Sequence, residues 1–398
     1  ERGAPSQWHG RLAGELGLSG AVDSVDLEQM LSGEIPGGER FTTRQGSARR
    51  MGNDMTFSAP KSISIQSLAI GDAAVTNAHD RAVSKALQYL ENEVISARYG
   101  RGGAYSEKTG AAAIAAFRHE DARPVDGITD PTLHTHAIAI NVTRDSHGNL
   151  RSTDLDFGFQ SLRMHIADAL YKAELAQELE AAGYQTRRTQ NGFELASISD
   201  EQIESFSRRG QQVMENANRN AAIIGIDKPT RQQVEQSILY TRNAKGTMTR
   251  DELHETWKDA AEAAGVDATP HESGTAPADT GDAISADSAP EDEVIDQAIA
   301  HLDERDAVNN VEQIYYHALR YGMGQVDPDA VKQRLDERED LHHTRAGVVT
   351  DSTLIREDAV MTAIEQGRGA KIAMVNKPSA EQSVSDTENR LGIQYTRD

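Results

Sequence analysis

Two histidines one residue apart, in Leu133-His134-Thr135-His136, carry the clearest chemical signal in the chain. Alternate residues of a strand point to one face, so both imidazoles can converge on a single ion. A metal site that keeps a position open for substrate takes three protein ligands. His119 supplies the third if residues 114–119 and 133–143 are antiparallel neighbours, joined by a turn containing Pro124 and Gly127. The alternative is a group of surface or core histidines with no ion. Three imidazoles without a thiolate suit a borderline divalent ion, which polarises a phosphodiester oxygen. Asp54 opens a strand whose polar face continues through Thr56 and Ser58. Its carboxylate either works beside an imidazole, as an orienting group or proton acceptor, or merely caps a strand end. Lys61, following Pro60, offers a point charge to a phosphate.

The elements that must position these groups are readable as an α+β pattern. Residues 54–58 and 62–66 alternate polar and apolar side chains, as half-buried strands do. From Asp72 to about Arg98, Val75, Ala78, Ala82, Val83, Ala86, Leu87, Leu90 and Val94 recur at helical spacing after a Gly-Asp start. Residues 111–119 and 133–143 read as long strands, 157–182 as a helix stopped by Gly183, and Asn191-Gly192 as a hairpin turn. Downstream of His136 on the same face come Ile138, Ile140 and Val142, so that face runs from a polar site into a hydrophobic core. Residues 267–290, rich in Ala, Asp, Ser, Thr, Pro and Gly, read as a linker. It separates a domain at 1–266 from a small, mainly helical one at 291–398, with helices at 294–302, 311–321 and 329–338.

Composition narrows the function classes. The chain has 398 residues, 41 basic and 63 acidic, for a net charge of −22. At 37% hydrophobic it is too apolar for a wholly disordered chain and too polar for a membrane protein. No apolar run approaches the roughly 18 residues of a spanning helix, so membrane insertion is not expected. Cysteine is absent, which removes disulfides and thiol nucleophiles and is compatible with the cytoplasm. No Gly-rich phosphate loop of the G-x-x-x-x-G-K-[ST] type occurs, so ATP hydrolysis is not expected. The acidity is uneven: residues 267–398 carry 27 acidic against 12 basic side chains. Between Glu39 and Lys61 the sign reverses, with Arg40, Arg44, Arg49, Arg50 and Lys61 against Glu39 and Asp54. That stretch is either a solvated loop or a local nucleic-acid contact.

Several segments in order resemble one family. Thr56-Phe-Ser-Ala-Pro-Lys-Ser62, Phe117-Arg-His-Glu120, Leu133-His-Thr-His-Ala137 and the Trp8…Gly-Glu-Leu-Gly-Leu-Ser-Gly20 stretch are similar to the relaxase domain of MobF-class conjugative relaxase–helicases of the TrwC/TraI type. The resemblance covers about residues 6–266. It implies a histidine-hydrophobe-histidine nuclease fold, an antiparallel-sheet palm with flanking helices. It implies strand-specific nicking of plasmid DNA at a transfer origin, with Mg, Mn or Zn at His119, His134 and His136. Asp54 is then the acid/base residue, and Arg44, Arg49, Arg50, Lys61 and Arg123 are DNA contacts. The implied partners are single-stranded or hairpin origin DNA and conjugation accessory and coupling proteins.

Three departures qualify the resemblance. Thr135 stands at the hydrophobic position of the motif, and the turn between His119 and His134 is long. The family's tyrosine nucleophile precedes the Trp8 stretch, whereas the first tyrosine here is Tyr89, inside an expected helix. With Glu1 in place of Met, the expectation is an N-terminally truncated fragment that lacks the nucleophile. Residues 291–398 resemble, more weakly, the lead-in to the helicase region. A DNA-binding remnant without cleavage and an unrelated three-histidine hydrolase or oxygenase are the competing readings.

Overall fold

The computed structural model describes residues 5–38, 40–41, 50–100, 104–154, 162–190, 192–244, 246–267, 290–368, 377–392 and 394. In chain order its first ten strands are β1 (Ser6–His9), β2 (Gly52–Ser58), β3 (Ser96–Tyr99), β4 (Tyr105–Lys108), β5 (Ile114–Asp121), β6 (Pro131–Ile140), β7 (Thr143–Arg144), β8 (Leu150–Arg151), β9 (Thr186–Thr189) and β10 (Gly192–Leu195). The central sheet has the order β1-β5-β6-β2, every pair antiparallel. The fold is therefore α+β, with an antiparallel sheet flanked by helices.

Period-two burial along β6, broken only at Ile140, gives the sheet two different faces. Leu133, Ala137 and Ala139 join Met55, Phe57, Ile114 and Ala116 in a core beneath two helices, Ala73–Glu93 and Leu162–Ala181. On the opposite face, Phe117, Ile140, Val142 and Trp8 form a second cluster with Leu12 and Met30 of the short helices Arg11–Glu15 and Ser24–Ser32. That cluster covers one end of the face only. The polar end is the one that carries the histidines.

Most sequence expectations hold with shifted ends. The Ala73–Glu93 helix starts where the Asp72 carboxylate accepts from the Ala74 and Val75 amides, at 3.0 and 3.4 Å. It stops at Glu93 rather than near Arg98, because Ser96–Tyr99 pairs with Tyr105–Lys108. The helix before Gly183 ends at Ala181, with Gly183 at φ 91°. β9 and β10 form the hairpin around Asn191, itself outside the described residues.

One expected strand is a helix. Residues 62–66 belong to a turn of α-helix, Lys61–Ser64, that runs into a π-helical turn, Ile65–Ala69. Pro60 suits the start of a helix. The polar–apolar alternation there does not separate core from solvent, because every residue from Ser62 to Ala69 is buried. The buried hydroxyls accept backbone amides instead: Ser62 from Leu195 at 2.7 Å and Ser64 from Leu133 at 3.0 Å.

The chain forms two compact units, Glu1–Glu304 with Asn310–Glu337, and Arg305–Asn309 with Arg338–Asp398. The helices Pro290–Asp303, Val311–Tyr321 and Pro328–Asp336, which follow the expected linker, belong to the first unit. Within it, Glu312 accepts from Arg163 of the Leu162–Ala181 helix at 2.7 Å. The second unit holds the hairpin of β11 (Leu341–His343) and β12 (Val348–Thr350), then helices Asp351–Gly367 and Lys377–Leu391. No helix among the described residues is long and apolar enough to cross a membrane.

Candidate metal centre

The register of the sheet fixes the site. His119 of β5 lies opposite His134 of β6, and His136 lies opposite Phe117 of β5 and Thr56 of β2. Directly opposed residues share a face, so the three imidazoles meet. Their ring centroids are 5.0–5.3 Å apart. One nitrogen from each lies within 4.8 Å of the other two, the only such group of potential ligands among the described residues. A β-bulge follows immediately, between His119 and Asp121.

Two of the rings are oriented by their second nitrogen. His134 Nδ1 donates to the Thr132 carbonyl at 2.8 Å. His136 Nδ1 lies 3.0 Å from both Asp54 carboxylate oxygens and 3.3 Å from Thr56 Oγ1. A proton on Nδ1 leaves each Nε2 with a free lone pair, the form in which imidazole binds a metal. Burial holds His134 below its ordinary pKa, and the adjoining His119 and His136 push the same way. Both effects favour the neutral form of His134, the one that offers a lone pair to a metal. Three neutral nitrogen donors suit a borderline divalent ion better than magnesium, which prefers oxygen.

Behind Thr135 lies a buried relay that the sequence did not reveal. His79 Nε2 is 2.8 Å from Thr135 Oγ1, and His79 Nδ1 is 2.8 Å from Tyr171 Oη. Burial, together with the nearby Arg118 and His134, pulls the His79 pKa down to about 3. Its only sequence signal was a histidine on the apolar stripe of a helix.

The loop between β5 and β6 is held from outside. Glu120, next to His119, is buried and accepts from Arg250 Nε and Nη2 at 2.7 and 2.6 Å and from His254 Nε2 at 2.9 Å. Burial raises its pKa, but those hydrogen bonds outweigh it and hold the carboxyl below its usual range. Trp257 Nε1 donates to the Thr129 carbonyl at 2.7 Å, and Arg208 pairs with buried Asp130 at 2.5 Å. Arg250→Ala leaves Glu120 with one of its three hydrogen bonds and lowers stability by about 2 kcal/mol. Thermal unfolding of the two proteins side by side checks it; an unchanged midpoint would mean that Glu120 is solvated.

The expected DNA contacts are scattered. Arg44 and Arg49 lie outside the described residues. Arg50 is exposed just before β2. Lys61 turns inward, donating to the Pro131 carbonyl at 2.7 Å and Thr132 Oγ1 at 3.1 Å, so it braces the start of the strand that carries His134. Burial pulls its pKa down to about 8 against the attraction of Asp130 and Glu194. Arg123, in the β5–β6 loop, reaches the Asn243 carbonyl at 3.4 Å.

The chain is similar to known proteins. The TrwC relaxase family profile matches residues 1–264. The multifunctional conjugation protein TraI of Escherichia coli is 28% identical over 381 residues, covering 91% of this chain and 20% of TraI. This chain thus spans about a fifth of that relative. A solved structure of conjugative relaxase TrwC with OriT DNA, metal-free, superposes with a TM-score of 0.60 at 40% identity, over 67% of this chain and 93% of that one. A metal-bound TrwC–OriT complex gives 0.60 at 39% identity, over 67% and 90%.

Proposed function

This chain belongs to the TrwC relaxase family, and on that premise we propose that residues 1–266 bind and nick one strand of DNA at a plasmid transfer origin during conjugation. The observation that carries the proposal is the convergence of His119, His134 and His136 on one face, with Asp54 against the second nitrogen of His136. These three imidazoles would hold a divalent ion, which supplies Lewis-acid stabilisation of charge developing on a phosphate oxygen. In this reading Asp54 orients His136 and takes the proton of an attacking hydroxyl. Arg44, Arg49, Arg50 and Arg123 are the contacts to the DNA backbone in this reading, and Lys61 acts through the strand it braces. Residues 291–398 lead into a helicase-associated region, and the partners are hairpin and single-stranded origin DNA with conjugation accessory and coupling proteins.

The nucleophile in this proposal is a tyrosine outside residues 1–398. Several tyrosines of the chain are already committed: Tyr171 is buried against His79, Tyr184 donates to Asp72, and Tyr315 donates to the Pro328 carbonyl. Attack by a phenol on phosphorus would form a 5′-phosphotyrosyl bond, release a 3′-hydroxyl and pass the phenol proton to a base.

Two measurements test the reading. Binding of an origin-like hairpin with a single-stranded tail, followed by fluorescence anisotropy, should weaken with salt with a log–log slope of about −0.7 per phosphate neutralised on the single strand. No binding at low salt overturns DNA recognition. A protein extended with a tyrosine-bearing segment ahead of Glu1 should give a covalent adduct on the 5′ fragment in manganese, resolved on a denaturing gel. Binding without an adduct favours the second reading, a DNA-binding module that does not cut.

A further inference from the structure

We propose that the Val311–Tyr321 helix and its neighbours, which lie beyond the residues matched by the relaxase family, form a stacking track for single-stranded DNA apart from the imidazole triad. The inference rests on the DNA reading above and names a second contact surface for the same strand.

The helix docks through Ile314, Tyr315, Ala318 and Leu319, all buried. Tyr316, His317 and Tyr321 are only half-buried. They nevertheless form a ring cluster. Tyr316 lies 5.1 Å from His317, which lies 4.7 Å from His301 and 6.0 Å from Tyr321, centroid to centroid. Half-burial fixes such rings while leaving part of each ring open to solvent, which is what a nucleobase stacks on.

The charge around the rings has the matching sign. Arg320 holds its guanidinium 5.7 Å from the Tyr316 ring centre and donates to the Gln190 carbonyl at 3.3 Å. Arg188 donates to the Arg320 carbonyl at 2.6 Å. Neither arginine pairs with a carboxylate among the described residues, in a chain whose net charge is −22. Glu312, one turn before Tyr316, is neutralised by Arg163. The positive charge therefore remains available for phosphates, while the rings serve the bases.

A groove runs beside Asp54. Asn53 to Phe57 of β2, with Met164, Ala167 and Asp168, line a groove of about 240 Å³ along the strand that carries Asp54. His165, exposed beside Met164, lies 6.3 Å from the Tyr316 ring. In this proposal a strand leaving the groove past Asp54 continues over His165 to Tyr316.

The test uses the full chain and a fluorescent oligo(dT) long enough to span the groove and the helix. Tyr316→Ala with Tyr321→Ala should weaken binding about tenfold, and Tyr316→Phe with Tyr321→Phe should restore it, because stacking needs the ring and not the hydroxyl. Arg320→Glu, an exposed position, should weaken binding and flatten its salt dependence with no change in thermal unfolding; it carries the test alone if the double alanine variant does not fold. Oligo(dT) binding by the wild type that is unchanged in the alanine pair, or in Arg320→Glu, overturns the track and leaves the relaxase reading intact. A loss of equal size on blunt duplex DNA, whose bases stack on one another, also overturns it. Failure of the wild type to bind oligo(dT) at low salt while it binds the origin-like hairpin overturns the track; failure on both removes the DNA reading itself.

Discussion

His136→Ala weakens manganese or zinc binding by about a hundredfold or more, because it removes a ligand, and even outer partners of metal ligands are worth about 10–100-fold. The geometry makes His136 the informative choice. It lies on the central strand, facing Thr56 on one side and Phe117 on the other, and its ring is oriented by Asp54. Truncation leaves His119 and His134 in place, and two imidazoles do not close a site. Asp54→Asn gives a smaller loss, about tenfold, since the ligand survives and only its orientation and basicity change. Titration calorimetry on the three proteins separates the cases. Unchanged stoichiometry and affinity in His136→Ala would reject the site, and equal losses in both variants would make Asp54 a ligand rather than an orienting group.

How much of this was legible beforehand depends on the range of the interaction. The pair at His134 and His136 was readable because strand periodicity is local, and His119 followed once a hairpin was assumed. Asp54 was readable as a polar residue on the right face, although choosing between capping and orienting needed the register that sets Thr56 opposite His136. Residues 62–66 were misread for a physical reason. Alternation signals a strand only when one face meets solvent, and here Ser62 and Ser64 are buried as fully as Ile63 and Ile65. Their hydroxyls satisfy amides of Leu195 and Leu133, partners far away in sequence. The clamp on Glu120 was hidden in the same way, since Arg250 lies 130 positions downstream. Lys61, following Pro60, offers a point charge to a phosphate when only the sequence is considered. The fold instead turns it onto the Pro131 carbonyl.

Acidification from pH 6.5 to pH 5 lowers the stability of the first unit by about 2 kcal/mol through His79 alone, at 1.4 kcal/mol per pH unit. The group's folded pKa, about 3, lies below the ordinary 6.5. Above pH 6.5 both states are neutral there and nothing changes. Below it the unfolded chain takes up a proton that the folded chain refuses, so stability falls until the folded pKa is reached. The cause is structural. Thr135 stands between the two imidazoles of β6, where the family's general pattern places a hydrophobic residue, yet it is buried. A hydroxyl in that position needs a partner, and neutral His79 provides one while its other nitrogen meets Tyr171. The buried imidazole thus compensates for the polar residue in the motif, and burial opposes placing a charge on it. His79→Gln keeps hydrogen-bonding capacity without titrating, so its thermal midpoint should lose this component between pH 6.5 and 5. Identical pH profiles for wild type and variant would show that His79 is protonated alike in both states and that Thr135 is held by something else.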